Sequence, residues 1–337
     1  MKAVVVRSPG GLDRLEVCQW PDPGAPAAGQ IRVAVHAASL NFHDLLVAQG
    51  AIPVSDRRVL MADGAGVVEA VGEGVSEFKA GDSVVSCFFP QWQEGPVPAE
   101  AANFLKTPGD GVEGFAVGHV VRAATDFTHA PRGWSHAEAA TIPTAGLTAW
   151  RALVVDGGLT ANSSVLILGT GGVSIAALQL AKSRGANAIV TSSSDAKLER
   201  ARSLGADHTI NYKNCPGWGQ RVLELTEGRG VDHVVEVGGP GTLDQSLRAV
   251  RVGGHIALIG VLTGREGVVP TMLLMSKHAR LQGLIVGSRR HQQDYVAALE
   301  ESHIRPVIDR SFPLEGLADA FRLQASGQFF GKIVIAW

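Results

Sequence analysis

The residues best placed to do chemistry in this chain lie in the run Val165-Leu166-Ile167-Leu168-Gly169-Thr170-Gly171-Gly172-Val173-Ser174. Four apolar residues enter a glycine turn, and the turn opens a helical segment. Such a turn carries backbone N–H groups to a helix N-terminus, where a pyrophosphate binds. The spacing is Gly169-x-Gly171-x-x-Ser174, and serine stands where a third small residue serves helix–strand packing. Roughly 20 residues further on, such a fold reads the adenosine ribose. There the chain has Ser192-Ser193-Ser194-Asp195-Ala196-Lys197. An NAD site would place a carboxylate at the strand end to hold the 2′-hydroxyl. Hydroxyls that can donate and the Lys197 charge suit a 2′-phosphate instead, so the expected cofactor is NADP(H). Ser194 or Asp195 also reads as an N-cap of the following helix, and the two readings are compatible.

These groups need a frame to hold them. Residues 1–125 carry short apolar runs (Lys2–Val6, Ile31–Val35, Gly66–Val71, Ser83–Val85) separated by glycine and proline, which predicts a β-rich, barrel-like domain. Residues 88–114 interrupt it with a long polar loop that begins Phe88-Phe89-Pro90-Gln91-Trp92. From about 145 to 287 apolar strands alternate with helical segments, the rhythm of a doubly wound parallel sheet. Strands are expected at 165–168, 188–191, 208–211, 232–237, 255–261 and 281–286. The final fifty or so residues end in an apolar strand, Lys332–Ala336, and are expected to complete the first domain.

Bulk properties narrow the function classes. Hydrophobic residues make up 45% and charged residues 18%, enough for a large packed interior. A net charge of -2 gives no reason to expect nucleic acid or an anionic membrane as partner. Cys18, Cys87 and Cys215 are too scattered for a disulfide framework or a CxxC zinc site, which fits a reducing, cytoplasmic setting. Residues 157–181 are uncharged, but the glycine turn in their middle reads as strand-turn-helix rather than as a membrane span.

Several motifs, in order along the full length, resemble the medium-chain dehydrogenase/reductase superfamily. They are Ala38-Ser39-Leu40-Asn41-Phe42-His43-Asp44, Gly64–Gly72, Gly81-Asp82-Ser83-Val84-Val85, Pro143–Trp150 and the glycine turn itself. The resemblance is to the branch of zinc-free quinone oxidoreductases and NAD(P)-dependent alcohol dehydrogenase-like proteins. It implies an α/β chain: a Rossmann doubly wound parallel sheet plus a GroES-like β-barrel catalytic domain, with the active site in the cleft between. The expected boundaries are 1–128 and 289–337 for the catalytic domain and 129–288 for the cofactor domain. The resemblance assigns Thr148 to the nicotinamide side, and Ser193, Lys197 and Tyr212 to the 2′-phosphate. It places Gly169, Gly171, Gly172 and Val173 at the pyrophosphate. Val237-Gly238-Gly239, Gly260-Val261 and Gly287-Ser288 border the adenosine and nicotinamide, and Gly331-Lys332 resembles a C-terminal cofactor contact.

The same resemblance speaks to a metal. The positions that hold zinc in the alcohol dehydrogenases correspond to Asn41, Ala62 and Thr144 here, and the usual Gly-His-Glu is Met61-Ala62-Asp63. Alanine cannot ligate, and neutral amides and hydroxyls are poor zinc ligands. The four-cysteine structural-zinc lobe is also missing, and none of the 11 histidines forms an HxH or HxxxH pair. No metal is expected. Zinc-free members of the superfamily reduce acceptors that are already electrophilic, by aligning donor and acceptor and stabilising the developing oxyanion. Asn41 is the candidate carbonyl-polarising donor, His43 the candidate proton donor, and Asp44 an orienting carboxylate. Phe89 and Trp92 could wall a flat substrate.

The sequence thus predicts a zinc-independent NADPH-dependent oxidoreductase acting on a quinone, enone or similar activated carbonyl compound. Alternatives are an NAD(P)-dependent alcohol/aldehyde dehydrogenase, or a non-catalytic NADPH-binding protein. A homodimer is expected through a sheet-edge strand like His255–Val261, as the superfamily commonly forms.

Overall fold

Along Gln30–Ser39 buried and half-buried residues alternate before three buried residues close the strand. That period of two puts one face on a core. This strand is the spine of a seven-stranded sheet. The order runs Ile308–Phe312, Lys332–Ala336, Gln30–Ser39, Asp63–Val71, Ser83–Ser86, Phe127–His129, and His119–Ala123 also pairs with Gln30–Ser39. A smaller antiparallel sheet joins Leu15–Gln19, Lys2–Val6 and Arg58–Val59. Val33, Val35, Phe115, Phe127, Phe321, Ile333 and Ile335 share one buried cluster, so the C-terminal strand is part of this core.

The computed structural model describes all residues, Met1–Trp337, and divides them into two units. The first is Met1–Leu147 with Val286–Trp337, and the second is Thr148–Ile285. The boundaries therefore fall at 147/148 and 285/286, not at the expected 128/129 and 288/289. The physical reason for the first offset is the helix His136–Ala139, which packs on the strands Gln30–Ser39 and Asp63–Val71. Ser135 caps that helix, its Oγ accepting from Glu138 N at 3.3 Å.

In the second unit Ser164–Leu168 and Val231–Glu236 are buried at every residue. Central strands of a parallel sheet are covered on both faces, which is why they read as continuous apolar runs. The six parallel strands run in the order His208–Asn211, Asn187–Ser192, Ser164–Leu168, Val231–Glu236, Val250–Leu258, Arg280–Gly283. This is the doubly wound dinucleotide order, with its switch point beside Ser164–Leu168. The strand expected at 255–261 begins earlier and ends at Leu258, and the next ends at Gly283. One expectation is corrected here. His255–Leu258 is not an edge, because it pairs in parallel with Arg280–Gly283, which is the outermost strand. No helix is long and apolar enough to cross a membrane.

Candidate active site

In the second unit the glycine turn follows the strand Ser164–Leu168 and opens the helix Gly172–Ser183. Gly169 has φ +72°, a conformation that side-chain-bearing residues rarely adopt. A Cβ at Gly171 would meet no heavy atom within 4 Å, and no side chain caps the helix it begins. The first turn therefore presents its backbone N–H groups to an open cradle, as an anion requires. Ser174 is buried, and its Oγ donates to Leu168 O at 2.7 Å. The serine thus fills the third fingerprint position with a bond that ties helix to strand.

The strand Asn187–Ser192 lies beside His208–Asn211, with Ser192 opposite Asn211. Tyr212 N donates to Ser192 O at 3.1 Å, which carries Ser193 and Tyr212 out of the same sheet end. Lys197 stands in the first turn of the helix Asp195–Ser203, whose N-cap is Ser194. Asn211 Nδ2 donates to Asp195 Oδ1 at 2.8 Å, so this nearby carboxylate has its own partner. Tyr212 is 41% exposed. A feature not foreseen from the sequence is Glu236, wholly buried at the end of its strand. Its Oε1 accepts from Gly238 N at 2.8 Å, Gly239 N at 3.0 Å and Thr242 Oγ1 at 2.7 Å, and Ser246 Oγ donates to its Oε2. It fixes the Val237-Gly238-Gly239 turn. Val261 is exposed, Gly260 half-buried and Thr148 buried. These residues fit a dinucleotide.

The first unit holds a different kind of site. Asn41 precedes the helix Phe42–Ala48, and Asp44 caps it, accepting from Asn41 N at 2.9 Å and from Ala62 N at 2.8 Å. The residue before Ala62, Met61, has φ +80°, an uncommon conformation for a non-glycine residue. Asp63 is fully buried. Its Oδ2 accepts from Ser39 Oγ at 2.9 Å and Asn41 Nδ2 at 2.8 Å, and its Oδ1 from Thr144 Oγ1 at 2.6 Å. Lys332, also buried, donates from Nζ to Leu40 O and Asn41 Oδ1, both at 2.6 Å, and lies 3.9 Å from Asp63 Oδ2. Burial pushes the Asp63 carboxyl up to about 6, against the pull of the Lys332 charge. Burial likewise raises Asp44 and lowers Lys332, the latter countered by both carboxylates.

Three expectations change with this geometry. Asn41 Nδ2 has two hydrogens, and they are engaged by Asp63 and by Ser39 O at 3.3 Å. The amide has no hydrogen left to polarise a substrate carbonyl. Lys332 turns inward to Asn41 and Asp63. Within the first unit Ser288 Oγ accepts from His291 N and caps the helix Arg289–Ser302. Phe89 and Trp92 are each only 2% exposed and pack inside the unit, Trp92 Nε1 donating to Gly95 O at 3.0 Å. His43 stacks on Phe104 at 5.3 Å and meets the edge of Phe88 at 5.5 Å.

The donor set does not fit a zinc ion. A catalytic zinc needs three side chains with lone pairs to give. Asn41 Oδ1 is held by an ammonium, Ala62 has only a methyl, and the Thr144 hydroxyl is directed at Asp63. Lys332 also brings a positive charge among the same donors. No group of three His, Cys, Asp or Glu side chains that could hold a metal ion occurs in the chain.

One unit has the sheet order and glycine turn of a dinucleotide-binding domain and the other a buried polar centre, the features of a nicotinamide-dependent oxidoreductase. Comparison with known proteins agrees. Residues 27–147 match the alcohol dehydrogenase GroES-like domain family, and residues 172–303 the zinc-binding dehydrogenase family. A zinc-type alcohol dehydrogenase-like protein of Schizosaccharomyces pombe is 39% identical over 344 residues, covering 99% of each chain. A Sinorhizobium meliloti protein provisionally assigned as an alcohol dehydrogenase is 40% identical, with TM-score 0.93 over 100% of this chain and 98% of its own. A solved NAD-dependent alcohol dehydrogenase is 35% identical, with TM-score 0.90 over 100% of both. The chain belongs to the medium-chain dehydrogenase/reductase superfamily and is an alcohol dehydrogenase-like oxidoreductase.

Proposed function

We propose that this oxidoreductase is a zinc-independent, NADPH-dependent reductase of quinones, enones or similar activated carbonyl compounds. The observation that carries the reading is the Asp63–Lys332 cluster. Where a metal-dependent member would polarise an alcohol oxygen, this chain has a buried ion pair that saturates Asn41 and Thr144. Without a Lewis acid, an unactivated alcohol is a poor substrate and an electrophilic acceptor a good one. The nicotinamide, when bound, supplies a hydride. The glycine turn holds the pyrophosphate, and Ser193, Lys197 and Tyr212 hold the 2′-phosphate. His43 supplies the proton, and Asn41, whose amide hydrogens are engaged, does not act as the oxyanion donor.

The cofactor preference is tested by titrating NADPH and NADH into wild type and Lys197→Ala. Loss of a charge-assisted phosphate contact weakens NADPH binding by about 1.5–3 kcal/mol and leaves NADH unchanged. Equal or better NADH binding by wild type sinks the NADPH reading. The acceptor class is tested by NADPH oxidation with a quinone and enone panel, before and after chelator treatment. A second reading, an NAD(P)-dependent alcohol dehydrogenase, draws on what the relatives are called. It predicts chelator-sensitive oxidation of simple alcohols and stoichiometric bound metal.

The proposed assembly is a homodimer through the outer strand Arg280–Gly283. The segment that precedes this strand in the chain carries exposed Leu262, Val268, Met272 and Met275, apolar surface that a monomer would leave wet. Elution at the monomer mass in size-exclusion chromatography with light scattering would refute it.

A further inference from the structure

The loop 88–114 carries more than a cover for the first unit. Its segment Thr107–Val112 folds back on itself, with Gly109 N donating to Val112 O at 2.9 Å and Val112 N to Thr107 O at 3.2 Å. The tip is Gly109-Asp110-Gly111. A Cβ at Gly109 would lie 2.9 Å from Met61 N, and one at Gly111 would lie 2.2 Å from the Leu105 carbonyl. Both flanks of Asp110 are therefore fixed by close backbone approach. The aspartate so held stands with Oδ2 at 3.4 Å from His43 Nε2, both side chains mostly buried, 13% and 16% exposed. That nitrogen is buried and has no hydrogen-bond partner. The ring is clamped between Phe104 and Phe88, so it cannot turn freely to find another. Phe104 itself comes from the same loop, at φ +56°.

We propose that Asp110 is the positioning residue for His43, and that the two form the proton-delivering pair of this reductase. The inference rests on the reductase reading above. A carboxylate facing one ring nitrogen fixes that nitrogen as the resting N–H and leaves the other to exchange a proton. The separation of 3.4 Å is long for a formed bond, as catalytic hydrogen bonds often are before substrate arrives. Asp110 holds the proton on Nε2, and Nδ1, which carries no hydrogen in the resting ring, takes one up from solvent to give the imidazolium that faces the acceptor. With the hydride that a bound nicotinamide would supply, a C–H bond forms on the acceptor carbon as the C=O π bond breaks and its electron pair moves to oxygen. The Nδ1–H bond of the imidazolium then breaks, its electron pair stays on the ring, and the proton completes the O–H bond of the product. Loss of that proton returns the ring to its resting neutral Nε2–H form.

The test has two independent arms. In the first, wild type and Asp110→Asn reduce 9,10-phenanthrenequinone with NADPH, in water and in deuterium oxide. The expected result is a kcat lower by about 10- to 100-fold with a larger solvent isotope effect. NADPH affinity and melting temperature should be retained. In the second, nitrogen NMR of labelled histidine reads the His43 tautomer without any substrate, with His43→Gln assigning the signal. Wild type should rest as the Nε2–H form, and Asp110→Ala should shift the population toward Nδ1–H. An unchanged tautomer overturns the pair. A shifted tautomer with kcat and isotope effect unchanged overturns its role in proton delivery. If wild type reduces no acceptor at all, the reductase reading fails, while the tautomer still decides whether Asp110 positions His43.

Discussion

The two polar centres of this molecule treat their hydrogen-bonding groups in opposite ways. Around Asp63 every donor has found an acceptor within the first unit: Ser39, Asn41, Thr144 and Lys332 are tied to the carboxylate or to one another. Around Gly171 the helix begins with no capping side chain and open space before it. A saturated centre stabilises or destabilises the fold; an unsaturated one waits for a ligand. Burial of charge raises the cost of error in the first, and absence of side chains creates the capacity of the second.

That contrast can be broken at either end. The largest effect is expected from Lys332→Met, which strands two buried carboxylates without their countercharge. Stability to urea should fall by about 3–5 kcal/mol, and Lys332→Met combined with Asp63→Asn should recover part of it. A single variant as stable as wild type would mean the cluster is not the saturated centre described. Next comes Gly171→Asp. The side chain enters free space and sets a negative charge at a helix N-terminus, so the melting temperature should hold or rise. The same charge repels a pyrophosphate, and NADPH affinity should fall by two orders of magnitude or so, about 3 kcal/mol. Retained affinity would remove the glycine turn from the cofactor site. The smallest effect is the pH dependence of Asp63. Its folded carboxyl is raised from 3.8 to about 6, so the native state binds the proton more tightly than the unfolded chain. This contribution is full below pH 4 or so and is lost as pH rises through about 6, amounting to roughly 2–3 kcal/mol. The stability difference between wild type and Asp63→Asn, measured across that window, should shrink in favour of the variant as pH rises. A flat difference would show that Lys332 and the three donors fully offset the burial.

The sequence disclosed the second unit more fully than the first, for a physical reason. The glycine turn, the strands Ser164–Leu168 and Asn187–Ser192 and the helix after each are local patterns, set by backbone conformation and burial period within a few residues. The chemistry of the first unit joins residues far apart in the chain. Lys332 reads as an ordinary basic residue after Gly331, and nothing near it in the sequence announces Asp63. Asn41 could be recognised as a chemical amide, but not as one whose two hydrogens were already engaged. The glycines on both sides of Asp110 signal a tight turn, but nothing near it in the sequence announces His43. Glu236 was hidden inside an apolar strand, where a carboxylate implies local donors that only the fold could reveal. The outer strand is not legible in the sequence because 255–261 and 281–286 are both apolar enough to serve, and only the pairing decides.

The Lys332 ammonium has a consequence for the history open to such a protein. A histidine placed at position 62 would bring one ligand to a centre whose other members are an occupied amide, a committed hydroxyl and a cation. Each single replacement toward a metal shell would first unbalance a buried charge or orphan a buried donor, and only several changes together would give a lone ion somewhere to sit. The salt bridge therefore works as a ratchet: loops and exposed positions can change freely, but building a metal shell at this centre lies across a valley of unstable intermediates.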